Sequence, residues 1–190
     1  VNHEKLPFCN GIRLGIILYG FAQNMPDGHS LKSKFRIMKR RFLQKKYHCS
    51  ETRLTNSLQL KTAMELYSTV MSVRKVHIGD VVGYTTYKVK EEGYILTLPI
   101  GYADGVTRNF QEVYVKGKFL PIVADCMDML LVFSPEKIAI GTEVEIFGAH
   151  IPISKVCFRI HTNAYHLFNQ ISHRVVRIHV HGREKEEIFY

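Results

Sequence analysis

Long apolar runs are missing from this 190-residue chain, and none approaches the roughly 18 residues that a membrane-spanning helix needs. The first residues also lack the charged, apolar and small-residue pattern of an export signal. We therefore expect a soluble, cytoplasmic protein. Hydrophobic residues make up 46% of the chain, which is enough for the core of one globular domain with a second small unit beside it.

Cysteine is sparse, and no C-x-x-C pair indicates a zinc knuckle or a redox site. The four cysteines are Cys9, Cys49, Cys126 and Cys157. We expect them to be reduced and independent. A strand at His179-Val-His181 would place two imidazoles on one face, but a zinc site needs three or four convergent ligands. No third ligand has matching spacing, so we expect no metal site.

Acidic residues are missing between Gly28 and Ser50, and this segment carries most of the net charge. Eight of the basic residues lie there, so the rest of the chain sums to 9 − 8 = +1. They are Lys32, Lys34, Arg36, Lys39, Arg40, Arg41, Lys45 and Lys46. Apolar residues interleave with them at near-helical spacing, which fits a basic helix that contacts nucleic acid, an anionic membrane surface or an acidic partner. We favour a solvated insertion or linker over residues 24–57, and an acidic partner for segment 32–46 stays open.

From Leu58 onward the pattern is mainly β, with Val, Ile, Tyr and Thr between turn signals. The short strands predict an antiparallel, closed or nearly closed β-barrel-like domain with short helices, over residues 58–190. Within it we predict a hairpin tip at Lys88–Gly93 and one kinked central strand over Val123–Val132. A short helix is predicted over residues 162–171, followed by a strand over Val175–Val180.

Two of the short apolar segments end in groups of reactive side chains, which a plain β-domain does not need. The first runs from Leu98 to Arg108 and the second from Pro121 to Asp128. A rigid sheet presents ligand-binding side chains in this way, at the ends of its strands. The side chains concerned are Tyr102, Asp104 and Arg108 in the first segment, and Cys126, Met127 and Asp128 in the second.

This pair of segments resembles the carboxy-terminal domain of alanine racemases, which use pyridoxal 5'-phosphate (PLP) to invert an amino-acid α-carbon. Further segments resemble the same family in the same order. They are Arg13–Gly20, Ile78–Tyr84, Asn163–Tyr165 and Ile171–Arg177. The resemblance covers roughly residues 11–23 and 58–180. It implies an isomerase that interconverts L- and D-alanine and supplies D-alanine for peptidoglycan precursors.

The resemblance implies a catalytic role for Tyr84. Inversion requires one group to remove the α-proton from one face and another to return it on the opposite face. In the family one group is the lysine that holds PLP, on an amino-terminal barrel. The other is a tyrosine of the partner subunit in a homodimer, and Tyr84 matches it.

Residues that touch the substrate are implied in the same way. Met127 matches a residue whose main-chain amide contacts the substrate carboxylate, and Cys126 and Asp128 would shape the same wall. Tyr102 and Arg108 match the rim through which the substrate arrives. A buried structural ion pair between Asp104 and Arg108 is an equally supported reading of that segment.

Four residues match positions that hold PLP in the family. Arg13 matches the arginine that faces the pyridine nitrogen, Gly15 and Ile16 match main-chain phosphate contacts, and Tyr165 matches a tyrosine that reaches the phosphate. Residues 1–23 would then be the end of the amino-terminal barrel, including its last strand. We expect a piece of a longer racemase, which alone is folded and inactive and binds PLP weakly or not at all.

Two other functions remain open from the sequence. Serine racemases of the membrane-anchored type end in a similar domain, and the pocket that separates alanine from serine would lie partly outside this chain. A small β-barrel with a basic arm is also a pattern of RNA-binding or polyanion-binding modules.

Overall fold

The computed structural model describes residues 62–84, 87–162, 164–182 and 184–188. The chain divides into two units between Ala63 and Met64, and almost all of these residues belong to the second. Its strands are β1 (Leu66–Thr69), β2 (Ser72–Val76), β3 (Val81–Val82), β4 (Tyr87–Lys88), β5 (Gly93–Leu98), β6 (Glu112–Val115), β7 (Lys118–Asp125), β8 (Leu130–Ser134), β9 (Glu143–Phe147), β10 (Arg177–His181) and β11 (Glu184–Ile188). Its helices are α1 (Ile153–Arg159) and α2 (Ala164–Gln170), and two 3-10 turns cover Tyr102–Asp104 and Arg108–Phe110.

Seven strands form one antiparallel sheet in the order β1-β9-β6-β7-β8-β5-β2. The strands β1 and β2 lie at opposite edges of this order, yet only Val70 and Met71 separate them in the chain. The Val70 amide donates to Thr142 beside β9, and the Met71 amide donates to Thr97 on β5. Because only these two residues span the distance between the edge strands β1 and β2, the sheet must curl until its two edges lie close together. The prediction of a mainly β, antiparallel, barrel-like domain with short helices is confirmed.

Burial along each strand follows its place in the sheet. The inner strands β5 and β8 are apolar and buried at most positions, whereas the edge strand β2 buries only Val76. The small hairpin β3–β4 packs its Val82 into a buried cluster with residues of the large sheet. That cluster consists of Val76, Val82, Val89, Ile95, Val123 and Phe133. The hairpin is therefore anchored through its apolar side.

Two details of the predicted strands are wrong. Lys88–Gly93 is not a hairpin tip, because β4 pairs with β3 whereas β5 pairs with β2 and β8. Gly93 is a strand residue, and a Cβ there would lie 2.6 Å from the Phe133 ring. This glycine makes room for packing and does not signal a turn.

The segment Val123–Val132 is likewise two strands instead of one. Asp125 pairs with Leu130 across a tight turn, so β7 and β8 form a hairpin. A bulge between Ile122 and Ala124 bends β7 before this turn. The helix predicted over residues 162–171 is confirmed as α2, and the following strand is β10.

Candidate active site

The two segments with reactive side chains meet at one end of the neighbouring inner strands β5, β7 and β8. Leu98 at the end of β5 pairs with Leu130 at the start of β8, and Leu130 also pairs with Asp125 at the end of β7. The chain leaves the sheet there in two neighbouring loops. One contains the 3-10 turn Tyr102–Asp104, and the other is the turn 126–129 between β7 and β8.

Main-chain hydrogen bonds join these loops. The Tyr102 amide donates to the carbonyl oxygen of Cys126 at 3.1 Å, and the Ala103 amide donates to that of Met127 at 2.8 Å. Gly101 has an extended backbone, and a Cβ there would lie 2.4 Å from the Cys126 oxygen. Only glycine permits this close approach, so the sequence Gly101-Tyr102-Ala103 is fitted to the second loop.

These bonds also fix the direction of the Met127 amide. The carbonyl of Cys126 and the N–H of Met127 belong to one planar trans peptide, in which they point in opposite directions. Since Tyr102 holds the Cys126 carbonyl, the Met127 N–H points away from the Tyr102 loop. It is thus oriented as a donor by its neighbours, which suits the predicted contact with a carboxylate.

Large side chains are exposed at this same end of the inner strands. Tyr102 is 51% exposed and Met127 is 55% exposed, and Asp128 is also exposed. Cys126 is partly buried, and its burial, with Asp125 and Asp128 nearby, raises the pKa of its thiol. A neutral thiol, a thioether, a phenol and carboxylates therefore line one accessible surface.

Asp104 does not pair with Arg108, so that alternative is wrong. Its buried carboxylate accepts hydrogen bonds from the Nε atom of Arg174 and from the Gly101 amide, both at 3.0 Å, and the Nη2 atom of Arg174 lies 2.9 Å away as an ion-pair contact. Arg108 instead lies 3.7 Å from the Asp125 carboxylate, with 53% of its side chain exposed. Arg108 thus joins the surface formed by the two loops, whereas Asp104 lies beneath it.

Tyr165 is on α2 and is 38% exposed. The carboxyl end of this helix lies against the first loop, because a Cβ at Gly105 would come within 2.4 Å of the Gln170 oxygen. Gly105 also has a φ of 91°, a left-handed conformation that glycine adopts at little cost. The helix that carries Tyr165 is therefore fixed to the loop that carries Tyr102.

Tyr84 lies on a separate element, in the turn that follows β3, and is 72% exposed. The preceding Gly83 has a φ of 70°, which turns the chain sharply. Because Val82 is buried in the core, the phenol stands at the tip of an anchored hairpin. The position suits a side chain that acts on something outside this domain.

Several predicted positions fall outside the described residues: Arg13, Gly15, Ile16 and the basic segment 32–46. In the part that is described, no three His, Cys, Asp or Glu side chains converge as a metal site. His179 and His181 are exposed on β10. None of the described helices is long and apolar enough to cross a membrane.

The sequence interpretation missed two polar groups that support or neighbour the sheet. Arg159 of α1 donates to the Phe110 carbonyl at 3.1 Å and to Glu112 at 2.9 Å, which holds the second 3-10 turn. The buried Glu145 pairs with His150 at 2.7 Å, and His150 stacks on Tyr114 with ring centroids 3.7 Å apart. Single charged residues on strands and helices give little warning of such long-range pairs.

Known proteins resemble the chain over this same region. A family profile described as "Alanine racemase, C-terminal domain" matches residues 63–179. An alanine racemase of Streptococcus equi subsp. equi is 37% identical over 150 residues, which are 77% of this chain and 34% of that protein. One from Anoxybacillus flavithermus is 30% identical over 187 residues, 94% of this chain and 42% of that protein. The chain thus spans well under half the length of these relatives.

Solved structures give the same result. An alanine racemase of Clostridium difficile 630 in complex with cycloserine has a TM-score of 0.67 and 30% identity, over 74% of this chain and 40% of that one. Alanine racemase of Bacillus anthracis with bound L-Ala-P has a TM-score of 0.68 and 26% identity, over 90% and 56%. That of Bartonella henselae, with covalently bound pyridoxal phosphate, has a TM-score of 0.57 and 29% identity, over 64% and 36%. The chain therefore belongs to the alanine racemase family and contains its carboxy-terminal domain.

Proposed function

We propose that this chain is the carboxy-terminal part of a PLP-dependent racemase that interconverts L- and D-alanine. The observation that carries the proposal is the joined pair of loops, in which Gly101 has no space for a side chain and Tyr102 and Ala103 hold the main chain of Cys126 and Met127. Such precise support is what a substrate-binding wall requires, and a general structural role does not need it.

Each residue of this wall has a distinct role in binding. The Met127 amide, directed away from the Tyr102 loop, donates to the carboxylate of the amino acid. Arg108, more than half exposed, attracts the same carboxylate as the substrate arrives. Tyr102 and Asp128 border the surface, so together these groups orient the α-carbon.

Tyr84 acts as one of the two proton-transferring groups. Its position at an exposed hairpin tip supports this role, because the phenol can enter the site of another subunit. A positioned phenol removes or returns the α-proton on one face, and the barrel lysine implied by the family serves the other. A head-to-tail homodimer would satisfy this arrangement and would cover Tyr84, Tyr102 and Met127.

PLP would be held by Arg13, Gly15, Ile16 and Tyr165, and it would supply the delocalisation that acidifies the α-hydrogen. Among the described residues, Tyr165 fits this role. It is partly exposed, and its helix packs against Gly105, in the same loop as Tyr102. A phenol in that position can donate to a phosphate oxygen.

The proposal is tested with the full-length protein, incubated with PLP and either L-alanine or L-serine. We expect loss of optical rotation with alanine and a much lower rate with serine. A reversed preference would assign the protein to serine. Inactivity on both, together with salt-sensitive retention of RNA on filters, would favour the polyanion-binding alternative.

A further inference from the structure

We infer that the Asp104–Arg174 ion pair is a positioning device that locks the substrate-binding wall to helix α2. The inference rests on the proposed function, because it assigns the wall to the substrate and Tyr165 of α2 to the cofactor phosphate. Neither Asp104 nor Arg174 needs to touch a ligand. The pair would act by holding both binding surfaces in one geometry.

Asp104 forms the centre of the device. One carboxylate oxygen, Oδ2, accepts from the Gly101 amide, and the other, Oδ1, accepts from Nε of Arg174 and lies 2.9 Å from its Nη2. The main-chain oxygen of Asp104 also accepts from the Ser172 amide at 3.3 Å. One buried residue thereby connects the Tyr102 loop with the segment that follows α2.

The connection reaches the wall through Gly101. This residue packs directly on the carbonyl groups of Cys126 and Met127, so a shift of Gly101 must move them or break the bonds from Tyr102 and Ala103. On the other side, Gly105 packs on Gln170, the last residue of α2. A movement of Asp104 is thus transmitted in both directions.

The pair is unequally buried, which makes its loss consequential. The Asp104 side chain is 6% exposed and that of Arg174 is 60% exposed. Removing the arginine would leave a charge in a poorly solvated place, and opening of the loop is the simplest way to rehydrate it. We therefore expect local loosening of the Tyr102 loop.

A second buried carboxylate of the domain, with a half-exposed side-chain partner, provides a matched control. Glu145 is 4% exposed and His150 is 50% exposed, with 2.7 Å between carboxylate and imidazole. Glu145 lies on β9, which the sheet order separates from β5 and β8 and which borders β1 and β6. Loss of His150 would also leave a buried carboxylate without its side-chain partner, but at a distance from the two loops.

The experiment compares Arg174→Met, Arg174→Lys and His150→Gln in the full-length protein. Hydrogen exchange without added cofactor is measured in peptides that contain Tyr102–Ala103 and Ser172. Steady-state kinetics give KM for alanine and kcat. The exchange rates report directly whether the ion pair holds the two loops in place, whether or not the protein is a racemase.

We expect Arg174→Met to accelerate exchange in both peptides and to raise KM by roughly tenfold, with a smaller change in kcat. The reason is that misplaced binding groups weaken the binding of the ground state and of the transition state alike. Arg174→Lys should restore part of both effects. His150→Gln should lower the melting temperature yet leave both peptides and KM unchanged.

The inference would be overturned if the hydrogen-exchange rates of both peptides were unchanged in Arg174→Met. It would also be overturned if His150→Gln changed these rates and KM as much as Arg174→Met does. If exchange accelerates but KM of an active enzyme stays within about twofold, the pair is structural and the inference is wrong. A wild-type protein without racemase activity would refute the proposed function, whereas the exchange data would still decide whether the loops are locked.

Discussion

The amide of Ala103 donates to the carbonyl oxygen of Met127 at 2.8 Å, and this bond joins two segments that the sequence presents far apart. With the neighbouring bond from Tyr102 to Cys126, it makes a two-loop platform at the end of β5 and β7. Each loop fixes the main chain of the other. The platform is therefore rigid where the proposed substrate contacts lie.

Substitution of Gly101 tests this rigidity. Gly101→Ala introduces no backbone strain, because φ is −143°, but its Cβ would collide with the Cys126 oxygen. We expect a loss of roughly 1–3 kcal/mol in the free energy of unfolding, as for other overpacked sites. We also expect a large rise in KM of the full-length enzyme, measured by the racemisation assay.

The control for this substitution is Gly117→Ala. Gly117 has a φ of 80° with open space around its Cβ position, so alanine there costs about 1 kcal/mol of strain without any collision. Its KM should stay near that of the wild type. Equal KM values in the two variants would show that the close approach at Gly101 is unimportant for binding.

The Glu145 carboxylate predicts a pH dependence of stability. Burial alone would raise its pKa, but hydrogen bonds from His150 and from the amides of His150 and Ile151 outweigh burial, and the net pKa is lowered. A lowered folded-state pKa stabilises the fold above the ordinary glutamate value of about 4.3. This stability is lost as the pH falls through the folded-state pKa.

Glu145→Gln should accordingly flatten the decline in unfolding free energy on the acid side of about pH 4.3, and should cost roughly 1–3 kcal/mol at neutral pH. Urea titrations from pH 3 to 7 give the comparison. Glu136→Gln, which alters an exposed pair with Lys118, serves as the control and should follow the wild type. A Glu145→Gln curve parallel to that of the wild type would contradict the assignment.

Sharing of active sites between subunits predicts complementation. A full-length Tyr84→Phe variant and a variant without the barrel lysine should each be inactive. In a random mixture, half of the dimers would be mixed, and each would hold one intact site, which gives about one quarter of the wild-type activity. Co-expression followed by the alanine assay measures it, and no recovery would mean that Tyr84 serves its own subunit.

Much of the fold follows from local patterns. Alternating and continuous apolar stretches rich in Val and Ile predict the strands, and the helix over residues 162–171 is correct because Ala164, Leu167 and Phe168 share one buried face. Helix α1 escaped prediction, although Pro152 before it and buried Ile153, Val156 and Cys157 are helix signals. Its β-branched Ile153 and Val156 are equally typical of a strand, so the sequence does not decide between the two.

Errors in the strands have a common cause. The turn 126–129 contains neither Gly nor Pro, so the sequence across it looks like one continuous strand. Gly93 looks like a turn residue but is needed beneath Phe133. Turn signals report local conformation only, whereas these two positions are decided by contacts with distant strands.

The candidate site shows the same division. Tyr102, Arg108 and Met127 could be identified as candidate site residues from motifs. The structure brings them together at one end of the paired strands β5, β7 and β8. The partner of Asp104 could not be selected, because the nearby Arg108 and the distant Arg174 are equally suitable in charge. Three-dimensional proximity decides in favour of Arg174.

Isotope exchange by a Tyr84→Phe variant tests the central claim most directly, since the claim assigns to this phenol one of two proton transfers. The full-length variant and a Tyr67→Phe control, which alters a 40%-exposed tyrosine of β1, are incubated with PLP and each enantiomer of alanine in D₂O. We predict that racemisation falls by roughly two to four orders of magnitude in Tyr84→Phe alone, and that α-proton exchange survives for one enantiomer and is lost for the other. Equal losses of exchange for both enantiomers, or racemisation at the rate of the control, would contradict the account.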